Sequence, residues 1–134
     1  MRDELQKSLR ERYPLIFGAA PAHRDPFKVL SPFQVWGFEC GDGWFDLLDA
    51  LALNLQYATK STGAPQVVAA QVKEKFGCLR FYTDLADARQ RAMIELAETM
   101  SGRICEECGN RGALMSTNGW LMTCCPAHAA GGEE

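Results

Sequence analysis

An α+β fold is what this sequence predicts, and three observations predict it. Two amphipathic stretches have helical period, a pair of alternating segments lies between them, and two cysteine knuckles near the C-terminus flank a turn signature. The expected architecture is a small antiparallel sheet packed with two long helices in residues 1–102, and a knuckle–hairpin–knuckle unit in residues 103–134 packed on that core. A chain of 134 residues suits one domain with a small appendage, and 47% hydrophobic content is enough for a modest core.

Asp3 to Arg12 reads as a short docking helix, with Leu5 and Leu9 at i and i+4 and Tyr13 following; it ends before Pro14, which restricts the residue ahead of it. Residues 18 to 33 carry Gly18, Pro21, Pro26 and Pro32 among scattered charges and are expected to form an irregular crossing loop, long enough to suspect function. Phe33 to Cys40, with Val35 and Trp36, is expected as a strand. Gly41-Asp42-Gly43 then turns the chain into the strongest helix, where Trp44, Leu48, Leu51 and Leu55 make an apolar stripe that Leu47 widens. Asp42 or Gly43 is its expected N-cap, Asp46 meets the positive end of the dipole, and Ser61-Thr62-Gly63-Ala64-Pro65 closes it.

Gln66 to Lys73 alternates, Cys78 to Thr83 alternates again, and Glu74-Lys75-Phe76-Gly77 lies between them as a turn, so the pair predicts an antiparallel hairpin with Val68, Ala70 and Val72 facing the core. Thr83 or Asp84 is the expected cap of a second long helix, with Leu85, Met93, Leu96, Ala97 and Met100 along its buried side and Gly102 at its end. The methionines on that stripe are read as core filler.

Cys105-Glu106-Glu107-Cys108-Gly109 and Cys125-Pro126-Ala127-His128 supply four soft or borderline donors in two tight turns. Such a paired C-x2-C and C-x2-H presents a tetrahedron, and one structural Zn2+ held by Cys105, Cys108, Cys125 and His128 is the expected cofactor. Cys125 is preferred to its neighbour because it repeats the spacing of the first knuckle. Cys124 falls on a strand face with Trp120 and Met122, as a small buried hydrophobe, and stands as the fallback ligand. Between the knuckles, Ala113 to Thr117 and Trp120 to Cys124 flank Asn118-Gly119, the type I′ hairpin signature, which makes the unit a zinc ribbon. The Gly-rich tail after His128 is expected to fray.

Three blocks are similar to those of a family of small phage- and prophage-associated zinc-ribbon proteins of unassigned function. They are Gly41-Asp42-Gly43-Trp44-Phe45-Asp46-Leu47, Gln71-Val72-Lys73-Glu74-Lys75-Phe76-Gly77 with Leu79-Arg80-Phe81-Tyr82, and Ile104-Cys105-Glu106-Glu107-Cys108-Gly109. The resemblance runs through most of the chain from Tyr13 onward. It aligns Trp120, Thr123, Cys125 and His128 with the family's closing pattern, and departs from it at Cys78 and Cys124. What it implies is a phage or mobile-element origin, without an activity.

The N-terminus is charged and lacks an apolar signal region, and no apolar run is long enough to span a bilayer, so a cytoplasmic location in a bacterial host is expected. A formal net charge of −3 gives no general drive toward nucleic acid. Catalysis has little to stand on: four protein ligands leave a zinc ion no open position. Glu39, Asp42, Asp46 and Asp49 read first as a capping and dipole-compensating group rather than an acid–base site, and no thiol–imidazole signature surrounds Cys40 or His23. The expectation is a non-enzymatic protein that binds a host protein or complex, an inhibitor of a bacterial defence system such as an anti-CRISPR being one instance. The candidate contact residues are Lys73, Lys75, Phe76 and Arg80 on the central hairpin and Glu106 and Glu107 on the ribbon. A nucleic-acid-binding zinc-ribbon regulator and a small metal-dependent enzyme are the alternatives.

Overall fold

The computed structural model describes residues 1–19 and 27–129 of the chain. The expectations for His23, Pro21, Pro26 and the tail with Glu133 and Glu134 lie outside the described residues. Helix α1 spans Asp3–Arg12 and α2 Pro14–Phe17. Proline at the first position of α2 enforces the break between them. Leu9 is the buried anchor of α1. Its basic face also docks: the Arg10 guanidinium lies 4.7 Å from the centre of the Phe33 ring and donates to the carbonyls of Phe17 and Gly18.

The expected strand from Phe33 to Cys40 is instead a short helix, α3 (Pro32–Trp36), followed by β1 (Phe38–Glu39). Ser31 Oγ accepts from the backbone of Gln34 at 3.1 Å, and Gln34 Oε1 accepts from the backbone of Ser31 at 2.9 Å. This capping box, with proline at the first helical position, outweighs the β preference of Val35 and Trp36.

Helix α4 (Phe45–Thr62) is entered through a 3-10 turn at Asp42–Trp44 rather than capped by Asp42 or Gly43. Asp42 Oδ1 instead accepts the backbone N–H of Arg2 at 2.8 Å. Trp44, Leu48, Leu51 and Leu55 are buried as the stripe predicts, and Gly63 ends the helix in the left-handed region at φ 74.

Strands β2 (Ala69–Lys75) and β3 (Cys78–Thr83) pair antiparallel, whereas β1 joins β2 in parallel, with Phe38 beside Val72 and Glu39 beside Lys73. The sheet, of order β1-β2-β3, is therefore mixed and not purely antiparallel. The inward set is also shifted. A register irregularity between Ala69 and Gln71 changes the phase, so Val67, Ala69 and Val72 are buried while Val68 is exposed.

Helix α5 (Ala88–Ser101) starts later than Thr83 or Asp84 would place it. Its N-cap is Asp87, locked in a reciprocal capping box with Gln90. Starting there, the helix turns Gln90, Ile94, Ala97 and Ser101 inward and leaves Leu85 and Leu96 exposed. Buried Gln90 is satisfied by Thr59 Oγ1 and the Pro65 carbonyl. Phe17, Phe33, Phe38 and Phe81 pack as an aromatic knot, with centroid separations of 4.9 to 6.3 Å.

Strands β4 (Ala113–Thr117) and β5 (Trp120–Cys124) form the second hairpin, turned by Asn118 at φ 51 and Gly119 at φ 84. Cys105, Cys124 and Cys125 form a buried cluster of their own, apart from the main core, with Met115, Met122 and Ala129 packed on it.

Candidate metal centre and adjoining cleft

The first knuckle is shaped by backbone pairing. Ile104 bridges Arg111, the Cys105 N–H donates to the Asn110 carbonyl at 2.7 Å, and the Gly109 N–H returns to the Cys105 carbonyl at 2.9 Å. The second knuckle is a 3-10 turn over Pro126–His128, entered from Cys125 at the end of β5. Together they bring the Sγ atoms of Cys105, Cys108 and Cys125 and a ring nitrogen of His128 within 4.8 Å of one another.

His128 Nδ1 lies 3.3 Å from Cys125 Sγ and 3.6 Å from Cys105 Sγ, and Cys108 Sγ lies 3.7 Å from Cys125 Sγ. Sulfurs about 2.3 Å from one tetrahedral ion would stand about 3.8 Å apart, and a sulfur and an imidazole nitrogen about 3.5 Å apart. The four donors thus already mark the corners of a metal site, and the group could hold a metal ion.

Cys124 is not among the four donors. Its thiol is buried 3.6 Å from Met115 Sδ, inside the cluster it shares with Cys105 and Cys125.

Two of the three thiols are shifted toward the thiolate form. Burial alone would raise Cys105, but hydrogen bonds from the backbone of Cys125, Cys108 and Glu107 outweigh it and hold the thiol at about 6. Burial opposes ionisation of Cys125 too, and the His128 imidazole beside it brings the net shift below the usual value. Cys108 shifts the other way. A backbone contact from Asn110 favours its thiolate, yet desolvation and the neighbouring Cys105 and Cys125 sulfurs leave it raised. Three thiols so close cannot all ionise comfortably unless a cation sits among them.

Outside the four donors, Glu107 Oε2 stands 3.7 Å from His128 Nε2, on the side of the ring away from the sulfurs. Gly43 explains the Gly-Asp-Gly motif: a Cβ there would come within 2.1 Å of the Cys105 carbonyl oxygen. Its N–H donates to the Glu106 carbonyl at 2.7 Å, and the Gly41 N–H to the Glu106 carboxylate at 2.8 Å. The motif is a seat for the first knuckle.

The acidic group is dispersed by the fold. Asp49 takes the Tyr13 hydroxyl at 2.6 Å and Arg12 at 3.1 Å, Asp42 takes Arg2, Glu39 takes Gln71 Nε2 at 3.4 Å, and Asp46 is exposed. Cys40 is buried, and that burial, with the charge of Glu106 next in weight, pushes its thiol up to about 12.

Of the candidate contact residues, Lys73 faces Arg80 across the β2–β3 ladder, while Lys75, Phe76 and Glu107 are exposed. Glu106 is drawn inward by its bonds to Gly41 and Gly43.

Reasoning from sequence missed Trp120 as a neighbour of Phe76. Thr123 Oγ1 donates to the Gly77 carbonyl at 2.7 Å, pinning the first hairpin tip against β5. The two tips then enclose a cleft of about 340 Å³ lined by Glu74, Phe76, Asn118, Gly119, Trp120 and Leu121. One signal for it was readable: a phenylalanine stands at a turn position that Asn occupies in the sister hairpin.

Comparison of the chain with family models, curated proteins and solved structures finds no match. No helix among the described residues is long and apolar enough to cross a membrane.

Proposed function

We propose that the chain is a non-enzymatic interaction protein of phage origin that docks on a host protein or complex in the bacterial cytoplasm. Its C-terminal unit is a zinc ribbon holding one structural Zn2+ on Cys105, Cys108, Cys125 and His128, and an α+β core with two long helices carries it. The donor set of three thiolates and one imidazole suits zinc. Full protein ligation leaves no coordination site for substrate, which favours a structural ion. The zinc replaces the core that so small a hairpin unit cannot build for itself.

The observation that carries docking is Phe76. It holds a left-handed backbone at φ 54 while 66% of its surface stays in solvent. A bulky residue in that region costs on the order of 1 kcal/mol, and exposure returns no packing energy. Locally costly choices with no structural gain mark contact sites. Trp120, 77% exposed, stands beside it. Exposed aromatics of this kind anchor protein interfaces. Lys73 opposite Arg80 is a like-charge pair across the ladder, again unfavourable for the sheet alone, and with Lys75 it suits an acidic patch on the partner. Glu107, exposed on the ribbon, is the acidic member of the contact set, and Glu106 contributes by holding that knuckle in place. Inhibition of a bacterial defence system, as by an anti-CRISPR, is one concrete form of this reading.

The test is affinity capture from host lysate with and without nuclease, using the wild-type chain, Phe76→Ala and Trp120→Ala. A partner that survives nuclease and is lost with either variant supports docking through the hairpin tips. The second reading, a nucleic-acid-binding regulator, draws on the outward Lys73, Arg80 and half-exposed Tyr82. It is opposed by the net charge of −3. Affinity for random DNA should stay in the non-specific range of roughly 10⁻⁴ to 10⁻⁶ M at physiological salt, and a submicromolar value would favour that second reading.

A further inference from the structure

The cleft between the hairpin tips has a chemistry of its own. Its lining includes the exposed Phe76 and Trp120, and Glu74 is the ionisable group among its described lining residues. The Glu74 carboxylate is fixed in place, because its Oε2 accepts the Gly77 N–H at 2.6 Å. One oxygen is thereby committed to the turn, and the carboxylate is held at the wall of the cleft. Aromatic faces are electron-rich and attract cations, and a carboxylate beside them adds a formal charge of the same preference.

The molecule already shows that attraction. The Lys75 ammonium sits 5.7 Å from the centre of the Phe76 ring, within the range of a cation–π contact. The other basic groups of the hairpin, Lys73 and Arg80, project with Lys75 from the opposite side of the pleat to Glu74, since Val72 and Glu74 alternate with Lys73 and Lys75 along β2.

We infer that the cleft lined by Glu74, Phe76 and Trp120 is a receptor for a cationic side chain, an arginine or a lysine presented by the partner protein. This deepens the docking reading above and rests on it for the partner, though not for the cation chemistry. The ring faces hold the cation by its charge and by the apolar stem that carries it, and Glu74 takes its N–H groups. Lys75 is a resident competitor for one face of Phe76.

The experiment is a titration of isotopically labelled protein with small probes, followed through the indole N–H of Trp120 and the amides of residues 74–77 and 118–121. The probes are N-acetyl-arginine methylamide, N-acetyl-trimethyllysine methylamide and N-acetyl-citrulline methylamide, the last being the neutral near-isostere of arginine. Saturable shifts confined to those residues are expected for the two cations, with dissociation constants on the order of millimolar, as suits a single side chain. The arginine and trimethyllysine arms distinguish a guanidinium from an ammonium occupant.

Trp120→Ala should weaken binding by about fivefold or more. Glu74→Gln should do so by a similar factor, because Gln can still accept the Gly77 N–H and only the charge is lost. Lys75→Met should tighten it. Equal binding of citrulline, or cation binding indifferent to Glu74→Gln, overturns the inference, as does the absence of any saturable shift.

Failure of the two readings is separable. Probe binding without any captured protein refutes the docking function and keeps the cation site. Capture that Phe76→Ala abolishes and Glu74→Gln leaves intact refutes the cation site and keeps the docking.

Discussion

Trp44 donates its indole N–H to the carbonyl of Ile104 at 2.9 Å, joining the start of α4 to the residue before Cys105, the first donor of the candidate metal site. The tryptophan is fully buried, so this bond is shielded from water, and it couples the main core to the metal site through one side chain. Trp44→Phe keeps most of the apolar contact and leaves the Ile104 carbonyl without that donor. A loss of about 1–3 kcal/mol in denaturant unfolding is expected, together with faster metal release to a chelator. Unchanged release would show that the metal site holds its shape independently of the core.

Metal content should be close to one equivalent of zinc per chain, and the two adjacent cysteines should behave differently. Cys125→Ser removes a donor whose sulfur stands 3.3 Å from His128 Nδ1 and should strip or greatly weaken the metal. Cys124→Ser places a hydroxyl against Met115 in a buried pocket and should cost packing stability, about 1–2 kcal/mol, with the metal retained. The reverse pattern in elemental analysis would move the second knuckle by one residue.

Phe76→Asn should stabilise the free protein by about 0.5–1 kcal/mol, because Asn accepts the left-handed backbone at far lower cost, as Asn118 does at φ 51. The same substitution should weaken partner capture. A variant that gains stability and keeps its partner would leave the strained ring without a role.

Stability should fall in alkali. Burial raises Cys40 from its ordinary 9.0 to about 12, and burial followed by the Asp49 hydrogen bond raises Tyr13 from 10.0 to about 12. Folded groups that hold their protons longer than unfolded ones contribute stability that is complete below the unfolded value and disappears as pH rises through the folded one. For Cys40 the window runs from about pH 9 to about 12, with a limiting slope of about 1.4 kcal/mol per pH unit. Cys40→Ala should therefore flatten the decline above pH 9 relative to wild type and leave the profile at pH 7 parallel. Superimposable slopes would mean that the thiol is not shielded in the folded state.

Local signals were legible. The Asn-Gly turn, the Gly63 stop, the Trp44 stripe and the knuckle spacing each depend on a few neighbouring residues, and the structure reproduces them. The Ser31 and Asp87 capping boxes are equally local, but the β preference of Val35 and Trp36 competes with the first, and Thr83-Asp84 offers an earlier cap in place of the second. The bulge after Ala69 was not readable. Val68, Ala70 and Val72 alternate without a break, and what selects Val67 and Ala69 instead is the core that α4 and α5 form over the sheet. Nor was the parallel pairing of β1, since a two-residue strand has no period. At the site, spacing identifies which donors meet, but the cleft depends on Gly77 packing against Leu114 and β5, a contact between segments far apart in sequence.

Helix α5 also closes the free edge of β3. The outward amides of β3, those of Leu79 and Phe81, are taken by Ser101 Oγ at 2.8 Å and by Glu98 Oε2 at 2.9 Å. A strand whose free donors are already satisfied gives an incoming chain no ladder to extend. Strand addition at this edge would first have to break both bonds, which disfavours pairing with a peptide or with a second copy. The small sheet is thereby protected from growing at the edge where a naked β3 would have been most exposed.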